Sequence, residues 1–359
     1  MTATAPRLAL SDLAVPFVGA PMAGGPSSPA LAAAVTEAGG LGFLAAGYRP
    51  VAGLRADVEA VRALTGGAFG VNLFVPHAAN TAVPRTAPDP AVHRSLKAYR
   101  AALEETAQRY GVVLPAPDPA GDDAWAAKLA LVEELRVPVV SFTFGLPAPA
   151  VLERLAAAGT TTSVTVTSVA EAEASARAGA DLLVVQGPAA GGHRGTHRAE
   201  DVPGEEPLAE LVAAVRSAVD VPLVAAGGIA SAADAAAARA AGADAVQAGT
   251  LLLRTPEAGT PPAYREALAS GRYPGTAVTR AFSGRLARGL RNEFVERYTN
   301  MAPAAYPEVN QLTRPTRAAA AAAGDPEAIA LWAGSSFAAA RPVPAAEVVR
   351  GLLPGTQPG

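Results

Sequence analysis

The chain has 359 residues and a formal net charge of −3, with half of its residues hydrophobic and 17% charged. This composition allows a large core and excludes extensive disorder, and the small negative charge gives no general attraction to nucleic acid. No apolar run reaches the length that spans a bilayer, and the first residues lack the pattern of a signal peptide. We therefore expect a soluble cytoplasmic protein with no nucleic-acid or membrane partner.

Cysteine is absent from the chain, and only four histidines are present. The lack of cysteine excludes disulfides, thiolate metal ligands and cysteine nucleophiles. His193 and His197 have the spacing of a metal-binding pair, but they lie in a glycine-containing loop rather than on a helix, so we expect no metal site. The chemistry must then come from histidine, carboxylate, tyrosine, lysine or a bound cofactor.

Eight short apolar runs alternate with helical patterns along the chain. The runs lack polar alternation, which is typical of parallel strands covered on both faces, and the helical stretches begin at Ser or Thr and end at Ala-Gly. This pattern predicts an α/β fold, specifically a (β/α)8 TIM barrel. The predicted strands cover residues 17–20, 42–46, 69–75, 138–144, 163–167, 182–186, 222–226 and 245–247.

Two segments interrupt this alternation and predict a division into three units. Residues 77–128 form an insertion around a helix, which begins after strand three at the end of the barrel where active sites lie. Residues 255–323 are rich in Pro, Arg, Tyr and Asn and predict a small substrate-covering subdomain. We therefore expect a barrel over residues 1–254, this subdomain over 255–323, and a helical segment over 324–359 that packs back on the barrel.

Glycine follows most of the predicted strands, at the end of the barrel where functional groups cluster. The two most informative turns are "AGGIAS" (226–231) after strand seven and "QAGT" (247–250) after strand eight. Barrels commonly bind phosphate at these two loops through backbone N–H groups. No GxGxxG, GxxxxGK[ST] or GxSxG motif is present. A phosphate site, the amides of Asn72 and Gln186, and an exposed histidine, His193, together suggest that the ligand is flavin mononucleotide (FMN).

The chain resembles the nitronate monooxygenase family in motifs that cover nearly its whole length. This resemblance implies a (β/α)8 barrel with FMN at the carboxyl ends of the strands. It also implies the oxidation of alkyl nitronates, such as propionate 3-nitronate, by O2 to carbonyl compounds and nitrite. The motifs are "APMAGGPSSPALAAAVTEAGGLGFLAAGY" (20–48), "GVNLFVP" (70–76), "SFTFGLP" (141–147), "VQGPAAGGHRG" (185–195), "AAGGI" (225–229), "QAGT" (247–250) and "YPEVNQLTRPTR" (306–317).

The same resemblance implies roles for individual residues. His193 is implied to be the catalytic base or the residue that orients the substrate. One position departs from the family, because Ala189 stands where relatives usually have Glu, in the pattern QGxEAGGHRG. The residues implied to surround FMN are Met22 (through its backbone), Asn72, Gln186, Gly191, Gly192, Gly228, Gln247, Ala248, Gly249 and Thr250.

Two alternatives stay open at this point. A related flavoprotein that reduces quinones or enoyl-acyl carriers with NAD(P)H would share "APMAG" and "GGH", whereas "SFTFG", "GFLAAGY" and "YPEVNQLTRP" favour the nitronate group. A flavin-binding protein without turnover would be consistent with the loss of the carboxylate at Ala189. The expected partners are a small nitronate and O2, with a homodimer as an open option.

Overall fold

The computed structural model describes residues 7–80 and 90–355 of the chain. Residues 81–89 of the predicted insertion, the first six residues and the last four lie outside this description. The strands are β1 Phe17–Gly19, β2 Gly42–Ala45, β3 Phe69–Phe74, β4 Val139–Thr143, β5 Thr161–Val166, β6 Leu182–Gln186, β7 Gly192–His193, β8 Leu223–Ala226, β9 Ala245–Ala248, β10 Thr276–Thr279 and β11 Ala287–Leu290.

The α-helices follow most of the barrel strands, and several begin at the side chains that the sequence predicts. Ser28, Ser168 and Ser231 each accept a hydrogen bond from a backbone N–H in the first turn of the helix that follows. None of the described helices is both long enough and apolar enough to cross a membrane. The helices are α1 Pro29–Glu37, α2 Val51–Leu64, α3 His77–Asn80, α4 Pro90–Arg109, α5 Trp125–Glu134, α6 Pro149–Ala157, α7 Val169–Arg177, α8 Leu208–Ala218, α9 Ala232–Ala240, α10 Pro262–Ala269, α11 Glu293–Tyr298, α12 Glu308–Ala322 and α13 Ala345–Leu352.

Eight parallel strands form the barrel, in the order β1-β9-β8-β6-β5-β4-β3-β2. A parallel bridge between Val18 and Leu41 joins β1 to the chain entering β2 and brings the two ends of the sheet together. Each of the eight strands overlaps one of the eight predicted runs. The predicted (β/α)8 barrel is therefore confirmed.

Successive residues of the barrel strands alternate between two hydrophobic clusters. On β6, Leu183 and Val185 pack in the layer between sheet and helices, whereas Leu182 and Val184 belong to a cluster inside the barrel. Because side chains alternate along a strand, Gln186 continues the inner series. The same alternation places Asn72 of β3 and Gln247 of β9 on the inner face, so three amide side chains point toward the barrel axis near the carboxyl ends of the strands.

A further hydrophobic cluster joins the insertion to the segment after the barrel. Tyr99 and Leu103 of α4 pack with Phe282, Tyr298 and Leu312, which come from that later segment. The last helix, α13, contributes Val348, Val349 and Leu352 to the cluster between sheet and helices of the barrel. The division into three units stays a prediction, and the shared cluster places α4 in one layer with α11 and α12.

A small antiparallel sheet forms beside the barrel, in the order β10-β11-β7. Its shortest strand pairs Gly192 with Arg288 and His193 with Ala287. The sequence predicts a turn at residues 191–192 and a loop at His193, and two paired residues are too short a strand to produce a periodic pattern. This pairing fixes the backbone on which His193 is carried.

Candidate active site

A cavity of about 800 Å³ opens at the carboxyl ends of the barrel strands. The eleven residues that the family resemblance implied come from six different segments of the chain, and the structure brings all of them to the walls of the cavity. These lining residues are Met22, Asn72, Gln186, Gly191, Gly192, His193, Gly228, Gln247, Ala248, Gly249 and Thr250.

Two backbone turns on one side of the cavity carry N–H groups without a protein acceptor. Gly227 and Gly228 follow β8 with φ of +98° and +83°, a conformation that glycine adopts without strain. Within the described residues, the N–H groups of Gly228, Ile229 and Thr250 donate to no backbone or side-chain acceptor. Unpaired N–H groups on adjacent turns after the seventh and eighth barrel strands are suited to hold a phosphate.

The inner-face amides of Asn72 and Gln247 lie on other parts of the wall. The Asn72 side chain is buried, and its nitrogen donates to Ser141 Oγ at 2.9 Å and to Thr143 Oγ1 at 3.0 Å. Gln247 is half-buried, and its side chain hydrogen-bonds to no other part of the described chain. The Asn72 oxygen and the Gln247 amide can therefore meet the polar edge of a bound ring.

Two of the implied flavin contacts already use their polar groups within the protein. Gln186 donates from Nε2 to the carbonyl oxygen of His193 at 2.9 Å and accepts from the N–H of Gly195 at 2.8 Å. The backbone N–H of Met22 donates to Ser27 Oγ at 2.8 Å. Gln186 thus clamps the segment that carries His193, a role that the sequence pattern did not indicate.

His193 is half-buried in an aromatic environment, so the expectation of an exposed histidine is wrong. Its Nε2 lies 2.8 Å from Ser283 Oγ, and its ring centroid lies 5.3 Å from those of Phe144 and Trp332. Burial lowers the pKa of His193 to about 3, and the nearby positive charges of Arg285 and Arg317 act in the same direction. The imidazole is therefore neutral near pH 7.

A buried arginine supports this aromatic wall from behind. The Arg285 guanidinium lies 4.3 Å from the Phe144 ring centroid and 5.3 Å from that of Tyr306. It donates to the carbonyl oxygens of Thr196 at 2.9 Å and of Phe144 at 3.3 Å. Phe144 has a φ of +76°, and this unfavourable conformation at the end of β4 is held by the cation on its ring and carbonyl.

The chain is similar to known proteins over nearly its whole length. A family model described as nitronate monooxygenase matches residues 7–355. The chain belongs to the nitronate monooxygenase family. A probable nitronate monooxygenase from Staphylococcus aureus (strain Newman) is 35% identical over 344 residues, which cover 94% of this chain and 93% of the relative. The family is one of flavin-dependent oxidoreductases, so the chain is identified as an enzyme.

Solved structures show the same relationship. Nitroalkane oxidase from Streptomyces ansochromogenes shares 46% identity with a TM-score of 0.87, and the alignment covers 96% of both chains. FabK from Thermotoga maritima shares 28% identity with a TM-score of 0.73, covering 96% of this chain and 93% of FabK. The expectation of a homodimer stays a prediction.

Ala189 stands where the family resemblance implies a glutamate. Ala189 lines the cavity, and its carbonyl oxygen accepts from the N–H of Ser335 at 3.1 Å. Its methyl group lies 3.0 Å from the point at which a Cβ on Gly228 would stand. A glutamate here would bring a negative charge toward the unpaired N–H groups, so alanine leaves that side of the cavity uncharged.

Residues that the sequence analysis did not assign complete the site. Ser283 and Trp332 contact His193 from segments far along the chain, and Arg317 enters the cavity from α12. The only sequence signal for them is that Arg317 closes the "YPEVNQLTRPTR" motif. Across the described part of the chain, no group of three His, Cys, Asp or Glu side chains is arranged to hold a metal ion.

Proposed function

We propose that the cavity binds FMN and that the enzyme oxidises alkyl nitronates, such as propionate 3-nitronate, with O2 to carbonyl compounds and nitrite. The observation that carries this proposal is the position of His193. Its neutral imidazole, hydrogen-bonded to Ser283, faces the same cavity as the unpaired N–H groups of the two turns.

The residues present fit FMN in their chemistry. The N–H groups of Gly228, Ile229 and Thr250 would hold the phosphate, and Asn72 and Gln247 would hydrogen-bond the edge of the ring. Gly191, Gly192, Ala248, Gly249 and the backbone of Met22 would line the ring without bulky side chains in its way. When bound, FMN supplies the acceptor for substrate electrons and passes them to O2.

The properties of His193 favour a nitronate over a neutral nitroalkane. A general base works best when its pKa lies near the working pH, and a pKa of about 3 makes His193 a weak base for an α-proton. A nitronate has already lost that proton. The imidazole then needs only to orient the anion by hydrogen bonding. The rings of Phe144 and Trp332, which lie beside the imidazole, would exclude water from one side of the anion.

The pH dependence of kcat/KM should reflect these pKa values. With preformed nitronate, we expect a flat profile between about pH 6 and 9, because His193 takes up a proton only near its lowered pKa of about 3. Activity should fall near pH 10, since burial lowers the pKa values of Arg285 and Arg317 to about 10 and their charges are lost there. Initial rates of O2 uptake in a constant-ionic-strength buffer series would measure this, and a limb near the ordinary histidine pKa of about 6.5 would contradict it.

One anaerobic experiment distinguishes the proposed activity from its two alternatives, a reductase and a flavin-binding protein without turnover. Purified flavin-loaded enzyme is mixed with propionate 3-nitronate and, separately, with NADH, and the flavin absorbance is followed. We expect rapid bleaching by the nitronate, slow or no bleaching by NADH, and nitrite formation once O2 is admitted. Rapid bleaching by NADH would instead support a reductase, and no bleaching by either would support a flavin-binding protein without turnover.

A further inference from the structure

Helix α12 presents two arginines to the cavity. Arg314 and Arg317 are three positions apart, so they lie on the same face of the helix, and both line the cavity wall. Arg314 is exposed at the surface, whereas Arg317 is half-buried. The charged groups on this wall are thus both positive, and Arg317 is the less exposed of the two.

No acidic side chain among the described residues of the cavity wall balances this charge. Among the cavity-lining residues that the structure describes, Asp57 is the only Asp or Glu. Its two carboxylate oxygens accept from Arg49 Nε and Nη2, each at 2.7 Å, so Asp57 is already neutralised. The wall formed by α12 therefore carries an uncompensated positive charge.

Arg317 is held in place, but not all of its hydrogen-bond donors have an acceptor among the described residues. Its Nη2 donates to Asn310 Oδ1 at 2.6 Å, which anchors the guanidinium on its own helix. Its buried Nε–H finds no acceptor among the residues described. Burial also lowers the pKa of Arg317 to about 10, the direction expected of a cation that has lost solvent without gaining an acidic partner. A carboxylate that hydrogen-bonds to the guanidinium would offset this desolvation.

Arg317 acts on the side of the cavity where His193 lies. Its charge contributes to the lowered pKa of His193 and also acts on Tyr48, another wall residue, yet it makes no hydrogen bond with His193. A nitronate oriented by His193 would leave Arg317 free for a second anionic group on the same molecule. We propose that Arg317, anchored by Asn310, binds the carboxylate of a substrate that bears both a nitronate and a carboxylate. Arg317 thereby sets the preference for such dianions over plain alkyl nitronates, an inference that rests on the proposed function.

The kinetic test compares two substrates of equal chain length. For Arg317→Met, kcat/KM with propionate 3-nitronate should fall about 10- to 100-fold, because one or two charge-assisted hydrogen bonds to the carboxylate are lost. In the same variant, kcat/KM with propane-1-nitronate should change less than about threefold. Arg317→Lys should recover part of the loss because it keeps the charge without the fork. Arg239→Met removes an exposed arginine of α9 and should leave both values unchanged. Equal losses on both substrates, or loss of flavin from Arg317→Met, would overturn the assignment.

A binding measurement tests the same site without turnover. Succinate, which carries two carboxylates and cannot be oxidised in this way, is titrated into flavin-loaded enzyme while the tryptophan fluorescence and the flavin absorbance are followed. Succinate should bind at least about tenfold more weakly to Arg317→Met than to the wild type or to Arg239→Met. If the wild type oxidised neither nitronate, the proposed function would fail, but weaker succinate binding would still support the anion site. Equal succinate binding by wild type and Arg317→Met would overturn it.

Discussion

Replacement of His193 by asparagine should lower kcat for propionate 3-nitronate by about 10²- to 10³-fold, the usual effect of removing an oriented hydrogen-bonding group at a reacting anion. The amide is shorter than the imidazole and cannot reach Ser283 while still facing the cavity. Flavin content should stay unchanged, because the N–H groups proposed to hold the phosphate belong to the turns after β8 and β9. Stopped-flow flavin reduction under anaerobic conditions measures the chemical step directly.

The matched control for this variant is His93→Asn. His93 is exposed on α4, outside the cavity, so the same substitution there should leave flavin reduction within about twofold of the wild type. The catalytic assignment fails if His193→Asn reduces the flavin at the wild-type rate. A variant that lost both flavin and rate would show that His193 supports the fold of the cavity instead.

The parts of this site that sequence analysis predicts correctly are those fixed by local patterns. Strand period determines which residues face inward, so Asn72, Gln186 and Gln247 converge on the barrel axis once the strands are known. The glycine turns after β8 and β9 follow for the same reason, since adjacent parallel strands end at the same edge. Each of these inferences needs only a few neighbouring residues.

The residues that sequence analysis misses reach the site through distant contacts. Ser283 meets His193 across 90 positions of the chain, and Trp332 is farther away still. Neither lies in a periodic element whose facing direction could be read. The same limit explains why the sequence did not indicate the hydrogen bonds from Gln186 to the backbone of His193 and Gly195, which exist only when the chain turns back after β6. The contact of Gln186 with a flavin stays a prediction.

The insertion shows the same limit on a larger scale. Helix α4 and the segment after the barrel each have an apolar face, but only the folded chain shows that Tyr99 packs against Tyr298, with ring centroids 6.1 Å apart. The hydroxyl of Tyr99 also donates to the carbonyl oxygen of Ala281 at 2.6 Å, two positions before Ser283. The insertion therefore supports the segment that holds His193, although more than 100 positions separate them in the chain.

Gly227→Ala should have the largest effect on cofactor binding, with flavin affinity lowered at least about tenfold. At φ +98° an alanine is strained by about 1–2 kcal/mol. Its Cβ would also stand 2.9 Å from the backbone nitrogen of Ala190 and 3.0 Å from the carbonyl oxygen of Gly187. Because these contacts are with backbone, either the Gly228 turn or the 187–190 loop leading to His193 must move.

Gly179→Ala is the control that separates backbone strain from steric contact as the cause of the lower flavin affinity. Gly179 has nearly the same φ, +93°, but a Cβ there would meet no other atom within 4 Å. It should therefore lower the free energy of unfolding by about 1–2 kcal/mol and leave the flavin dissociation constant unchanged. Thermal melting of the apoproteins and fluorescence titration with FMN measure the two quantities independently. Equal flavin affinity in both variants would mean that the turn after β8 does not hold the phosphate, whereas loss in Gly227→Ala alone would tie cofactor binding to the close approach of that turn to the His193 loop.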